Sequence, residues 1–244
     1  MGDSAQVNQS SLHWGRNRMV FFLFRNRFAI QLVCLASLIL LGPSLRKCVG
    51  THLAVSTNDV LFVIVLLSGL WSVTGLRVIF RISFVIGLLF IIFVLLDLLV
   101  DSFDFTLALG ATGCLFIAII CVGIVRHILI LKRVSRDTVF GGVCVYMLMG
   151  YLWAGLYTII EVAAPGSFAT NLGPLGPAEA DNLFPPLMFL SYSALTTSGF
   201  GDVSPVSLTA RGFVILEAIS GQIFLVTFIA FLLGLHIASL RQNN

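Results

Sequence analysis

Six long apolar runs dominate the pattern of hydrophobic and polar positions, and polar or charged residues separate them. A helix that crosses a membrane needs about 20 mostly apolar residues. The pattern therefore predicts an all-α membrane protein with six transmembrane helices, at Phe28–Leu45, Val60–Leu76, Ile82–Val100, Phe105–Leu131, Phe140–Glu161 and Ala210–Ala238.

The composition supports this prediction and excludes several classes of protein. Of the 244 residues, 58% are hydrophobic and only 10% are charged. A soluble domain carries about 25% charged residues, so this chain has too little polar surface to cover a globule. We expect membrane lipids as its surroundings, and neither an enzyme nor a nucleic-acid-binding protein.

The positions of the basic residues predict the orientation in the membrane. Eleven of the fourteen Lys and Arg residues fall on one side of the six predicted spans. Basic residues are concentrated in cytoplasmic loops, so this side is predicted to be the cytoplasm and to hold both termini. An even number of spans requires the same arrangement. We expect a multi-pass protein of the plasma (inner) membrane.

The runs and the loops divide the chain into three parts. Residues 1–27 form a predicted cytoplasmic segment, in which aromatic residues among arginines predict an amphipathic helix at Leu12–Arg27. Residues 28–131 hold the first four spans. Residues 132–244 hold the last two spans and the segment between them.

The segment between the last two spans contains a helix too short to cross the membrane. Pro185 and Pro186 suit the first turn of a helix, where a missing N–H costs little. A helix from there to Thr197 is about 20 Å long, whereas the hydrocarbon core is about 30 Å thick. We therefore predict a re-entrant helix that enters the membrane and turns back.

A short loop with alternating glycines follows this helix, from Ser198 to Pro205. Irregular backbone at membrane depth is tolerated where it is buried in protein or lines a water-filled path. Gly199 and Gly201 permit conformations in which successive carbonyls point the same way, and rings of carbonyls can replace the hydration shell of a cation. The helix would also direct its negative carboxyl end toward the membrane centre.

Residues Thr196–Asp202 read T-T-S-G-F-G-D, which resembles the selectivity-filter signature of potassium channels, T-x-G-Y/F-G-D. The flanking re-entrant helix and spans match that family, and so do Arg211 and Gly221, which lies nineteen residues after Asp202. The resemblance covers Phe140–Ala238, and the six-span plan resembles the voltage-gated-like superfamily.

The resemblance implies a homotetrameric potassium channel that conducts passively, with one filter strand from each copy. Potassium would bind at Thr197, Ser198, Gly199 and Phe200, and the ion-binding filter would extend to Gly201. Thr196, Asp202 and Glu161 would support the filter. The permeant K⁺ would be the only ion needed, with no cofactor, nucleic acid or small-molecule substrate.

The last span carries the residues expected to control gating. The resemblance implies a hinge at Gly221, although a glycine can also serve close packing. Gln222 and Ile229 would face the cavity. Glu217 lies one turn before Gly221, and a carboxyl group at membrane depth suggests a function. It would brace the short helix, tune the cation density in the cavity, or serve only in packing.

The sequence departs from the family in three places. Ser198 stands where Val or Ile is common, and the short helix has Phe189, Leu190 and Ser193 where some relatives have Trp or an acid. Phe105–Val125 contains no basic residue, whereas voltage sensors carry an arginine at every third position. We therefore expect no strong voltage gating.

Three other functions remain open from the sequence. Ser198 allows a weakly selective cation channel. Potassium uptake transporters use similar Ser-Gly-Phe loops, although they typically join four such loops in one long chain. A silent regulatory subunit, which only assembles with other channels, is the third alternative.

Overall fold

The computed structural model of the chain describes residues 27–48, 57–99, 106–131, 136–171, 173–175 and 183–242. Within these ranges lie seven helices and three short strands, which we number in chain order. They are α1 Arg27–Cys48, α2 Thr57–Ser72, α3 Arg77–Leu99, α4 Thr106–Leu131, α5 Arg136–Ala163, β1 Phe168–Thr170, β2 Gly173–Pro174, α6 Phe184–Leu195, β3 Val203–Pro205 and α7 Leu208–Gln242.

Four of these helices, α3, α4, α5 and α7, are long and apolar enough to cross a membrane by length and composition. The apolar parts described for α1 and α2, Arg27–Leu40 and Val63–Ser72, are shorter. The chain is therefore mostly helical with several candidate membrane spans, while the count of six stays a prediction.

The helices coincide with the predicted spans within five residues, and the largest difference is that α3 begins at Arg77 rather than at Ile82. α2 ends at Ser72, whereas the predicted second span continues to Leu76. Val73–Gly75 form a turn instead, in which the N–H of Leu76 donates to the carbonyl of Val73 at 2.9 Å. The predicted amphipathic helix at Leu12–Arg27 lies outside the described residues, except for Arg27.

Helices α1 to α4 pack against one another and against α5 around an apolar core. The ring of Phe28 and the side chains of Ile120 and Ile124 are almost completely buried in it. Helix α5 also packs against α6 and α7, so it is the wall shared by the first four helices and the segment that follows.

A small antiparallel sheet covers the segment after α5, with the strand order β2-β1-β3. Ala169 of β1 pairs with Ser204 of β3, which joins the loop after α5 to the loop after α6. The hydropathy pattern did not predict these strands, because two or three residues are too few to show alternation. Beneath the sheet lies a second core that includes Tyr157, Phe168 and Leu187.

Candidate functional site

A short helix, α6, lies where the sequence predicts one, although it ends two residues before the predicted Thr197, and its re-entrant course through a membrane stays a prediction. It begins at Phe184 with the two prolines in its first turn and ends at Leu195. Its 12 residues span about 18 Å, well below the thickness of the hydrocarbon core. The backbone then continues without regular structure from Ser198 to Gly201 before it enters β3.

The loop after α6 has a backbone that alternates in handedness. Thr197, Gly199 and Gly201 have positive φ values of 57°, 60° and 82°, whereas Ser198 and Phe200 between them do not. Glycine adopts this conformation readily, but for a β-branched residue such as Thr197 it is strained. The strain persists because the surrounding contacts hold the loop.

Ser193 of α6 holds the N–H side of this loop. Its carbonyl accepts the N–H of Ser198 at 3.0 Å and that of Gly199 at 3.4 Å. Its hydroxyl accepts the N–H of Phe200 at 3.0 Å. Three successive peptide N–H groups therefore point toward the same residue of the short helix.

The carbonyls of these three peptides point the other way. In a trans peptide the C=O and the N–H lie on opposite sides, and the described residues have no cis peptide bond. The N–H of Ser198, Gly199 and Phe200 belong to the same peptides as the carbonyls of Thr197, Ser198 and Gly199. These oxygens are consequently directed away from α6, on residues that are exposed in the single chain.

Side chains next to the loop add further contacts. The Thr196 hydroxyl lies 2.8 Å from the Ser198 hydroxyl, so this is where the unusual serine places its polar group. The ring of Phe200 stacks on that of Phe189 with centroids 5.4 Å apart. The Thr197 hydroxyl donates to the carbonyl of Thr196 at 2.7 Å.

Glu161 holds the end of the site that lies next to the small sheet. This carboxyl group is buried at the end of α5, and its two oxygens accept the N–H groups of Gly166 at 2.7 Å and Phe168 at 2.9 Å. Phe168 begins β1, which pairs with β3. Glu161 therefore connects to the loop through the sheet. Asp202 adds its backbone carbonyl, which accepts the N–H of Asn171 at 3.3 Å.

The short helix is fixed to α5 by hydroxyl groups. Ser191 donates to the carbonyl of Gly150 at 2.8 Å, and Tyr192 donates to that of Met147 at 2.8 Å. Tyr146 of α5 donates to the carbonyl of Leu195, the last residue of α6, at 2.9 Å. These bonds set the position of α6 along and around its axis.

Glu217 of α7 lies between helices rather than on an exposed face. It is completely buried, and its carboxyl group contacts the hydroxyls of Tyr157 from α5 and Ser191 from α6. Of the roles considered from the sequence, this position fits bracing of the short helix.

The other residues expected to control gating also lie on α7. Gly221 is buried within the continuous helix, and an added Cβ would lie 2.8 Å from Cδ1 of Leu195 and 3.0 Å from its carbonyl oxygen. This is close packing against the end of α6, and a hinge at Gly221 stays a prediction. Gln222 and Ile229 are exposed in the single chain.

Sequence reasoning did not assign site roles to Ser191, Ser193, Tyr146 and Tyr157, which position the loop and the short helix. The available signal was their polarity, because hydroxyl groups inside apolar runs need a partner. Ser191 and Tyr157 lie 26 and 60 residues before their partner Glu217, so spacing along one helix does not identify this partner.

The atoms of this site that are suited to bind an ion are the backbone carbonyl oxygens of the loop. Among the residues that the structure describes, no three His, Cys, Asp or Glu side chains come together as a possible metal site.

Comparison with known proteins matches part of the chain to a family model. Residues 157–235 match the family model described as "Ion channel". This segment contains Glu161, the short helix, the glycine loop and most of α7, and it excludes α1 to α4. No curated protein and no solved structure matches the chain. The match supports a passive ion channel in a multi-pass integral membrane protein, and it points away from an enzyme.

Proposed function

We propose that four copies of this chain form a potassium-selective channel that conducts K⁺ passively. The observation that carries the proposal is the direction of three successive carbonyls, those of Thr197, Ser198 and Gly199, away from Ser193. Four such loops, one from each copy around one axis, would form rings of carbonyl oxygens, which can replace the hydration shell of a cation. Phe200 and Gly201 would complete this filter.

The direction of the short helix supports a cation at its carboxyl end. α6 ends at Leu195, immediately before the loop, and the carbonyl end of a helix carries a partial negative charge. Four helices directed at one axis would add their dipoles at the same place. Thr196, Asp202 and Glu161 support the filter through the contacts described above.

The exposed apolar face of α7 supports an assembly of copies. One chain supplies a single wall of a pore, and Thr196–Gly201 are exposed in it. α7 also exposes large apolar side chains along most of its length, at Ile215, Leu216, Ile219, Ile223, Val226, Ile229 and Leu233. A homotetramer in the plasma membrane, with six spans per chain and both termini in the cytoplasm, would cover these surfaces with other copies and with lipid.

The fourth helix supports a channel without strong voltage gating. α4 runs from Thr106 to Leu131, and its first basic residue is Arg126. Moving one charge through the membrane field yields about 2.3 kcal/mol per 100 mV, so a sensor needs charges within the field. Gating would instead involve α7, with a hinge at Gly221 and a cavity lined by Gln222 and Ile229.

The test is the reversal potential of the purified protein in a planar bilayer with K⁺ on one side and Na⁺ on the other. A reversal potential that strongly favours K⁺ would support the proposal. A value near zero would instead indicate a weakly selective cation channel, the alternative that Ser198 suggests.

Silence under all conditions would favour the two remaining alternatives, a potassium uptake transporter subunit and a regulatory subunit. Co-expression with other channels separates them, because a regulatory subunit alters the currents of a partner.

A further inference from the structure

The contacts of Glu217 require more protons than its neighbours supply. One carboxyl oxygen contacts the hydroxyl of Tyr157 and the other contacts that of Ser191. The Ser191 hydroxyl also lies 2.8 Å from the carbonyl oxygen of Gly150. These three contacts join four groups from three helices.

Each hydrogen bond needs one proton. Tyr157 and Ser191 each carry one hydroxyl proton, and the carbonyl of Gly150 carries none. If Glu217 were a carboxylate, the single hydroxyl proton of Ser191 would have to serve both the Glu217 carboxylate and the Gly150 carbonyl. One of these two contacts would then hold two oxygen atoms together with no proton between them. A carboxylic acid at Glu217 supplies the third proton.

We propose that Glu217 is a protonated acid that positions the short helix. The proton order runs from Tyr157 to Glu217, from Glu217 to Ser191, and from Ser191 to the carbonyl of Gly150. This chain of three hydrogen bonds joins α5, α6 and α7 and places one proton in each contact.

The surroundings of Glu217 agree with this proton order. The described groups that interact with its carboxyl group are the hydroxyl of Ser191 and the phenols of Tyr146, Tyr157 and Tyr192, and none of them is a cation. A charged carboxylate without a cationic partner is expensive in the membrane interior, whereas the neutral acid is not.

The position of Ser191 explains how Glu217 would act on the filter. Ser191 lies two residues before Ser193, about 200° around the helix, so the two serines face nearly opposite sides of α6. Ser191 is held by α5 and Glu217, while Ser193 holds the N–H groups of the loop. Fixing the rotation of α6 therefore fixes the direction of the carbonyls. This consequence rests on the proposed channel function.

Infrared difference spectroscopy at pH 7 tests the protonation, with the wild-type protein and Glu217→Gln reconstituted in lipid. Exposed carboxyls are ionised at this pH, so a protonated carboxyl gives a separate C=O stretching band. We expect the variant to lack such a band that the wild type has. Loss of carboxylate bands in its place would overturn the proposal.

Potassium flux tests the positioning role in the same preparations. Gln has both a donor and an acceptor, so Glu217→Gln is expected to keep the flux within about twofold, which corresponds to less than ~0.5 kcal/mol. Glu217→Met has a similar volume without hydrogen bonds, and its flux is expected to fall about tenfold or more because Tyr157 loses its acceptor and Ser191 is no longer joined to α7.

Ser220→Ala is the matched control, since the bond that the Ser220 hydroxyl makes with the described residues lies within its own helix, to the carbonyl of Glu217. Equal flux in Glu217→Met and wild type would overturn the positioning role. Should the wild type itself fail to conduct potassium, the channel proposal falls, while the infrared result still decides the protonation of Glu217.

Discussion

Hydroxyl groups are used differently in the first four helices and in the segment from α5 to α7. In the first region Ser37, Ser68 and Ser72 donate to carbonyls three residues earlier in their own helix. In the second region Tyr146, Ser191 and Tyr192 donate to a different helix. Between helices of the first region, Arg27 and His127 form a polar contact of another kind.

This difference has a physical meaning. Helices in a membrane associate through van der Waals packing and through hydrogen bonds between helices. Hydrogen bonds between helices fix both distance and rotation. The second region carries the loop whose three carbonyls are directed away from α6, and there several hydroxyls join helices, while others, such as that of Ser220, donate within their own helix.

The largest expected difference between the regions concerns glycines. Gly199→Ala or Gly201→Ala is expected to abolish potassium flux while the assembly still forms, because each residue has a positive φ that costs an L-residue about 1–2 kcal/mol. Gly69→Ala in α2 is the control, since an added Cβ would lie no closer than 3.4 Å to Ile120. Flux into liposomes measures both, and normal flux in either filter variant would contradict the filter assignment.

A second pair of variants compares two glycines, one in each region, that lie almost equally close to a neighbouring side chain. An added Cβ at Gly150 would lie 2.5 Å from Cε1 of Tyr192, and one at Gly123 would lie 2.6 Å from Cγ1 of Val73. Both alanine variants are expected to lose about 1–3 kcal/mol of stability from overpacking.

Only Gly150→Ala displaces the short helix, so it alone is expected to change the K⁺/Na⁺ permeability ratio in bilayer recordings. A changed ratio in Gly123→Ala would show that the first four helices also position the filter.

The third prediction compares the two buried carboxyl groups of the second region. Glu161 accepts two backbone N–H groups, whereas Glu217 contacts two hydroxyls, which can donate or accept. Glu161→Gln would bring an amide donor against an N–H donor, and it is expected to lower stability by about 1–3 kcal/mol.

Glu217→Gln is expected to lose less stability than Glu161→Gln, because its amide can match both hydroxyls and leaves only its second N–H without a partner. Thermal unfolding of the assembled protein in detergent measures both variants. Equal losses in the two would contradict the different hydrogen-bond roles of these carboxyls.

The smallest expected difference concerns single hydroxyls. Tyr192→Phe removes a bond between helices, which is worth about 0.6 kcal/mol on average in membrane proteins. Ser72→Ala removes a bond within one helix and is expected to cost less than this. Unfolding in a denaturing detergent series ranks the two variants, and a larger loss in Ser72→Ala would reverse the comparison.

Much of the fold could be predicted from the sequence because long apolar runs leave few alternatives in a membrane. The predicted fourth span and α4 both end at Leu131, and the short helix begins with Pro185 and Pro186 in its first turn. The three strands could not be predicted, because two or three residues are too few to show alternation, and the pairing of β1 with β3 joins residues 35 positions apart, Ala169 and Ser204.

The sequence by itself determined the class of the protein, the helical segments and the place of the candidate filter. These features depend on local properties, which are the length of apolar runs, the fixed φ of proline and the freedom of glycine at Gly199 and Gly201. Local properties can be read from one stretch of chain.

Only the tertiary structure decided what Ser193, Glu161 and Glu217 contact. Ser193 meets the loop because the chain reverses after α6, and Glu217 meets Tyr157 because α5, α6 and α7 all pack against one another. A hydrogen bond depends on distances of about 3 Å between atoms from different elements. Packing sets these distances, and a hydropathy pattern does not contain them.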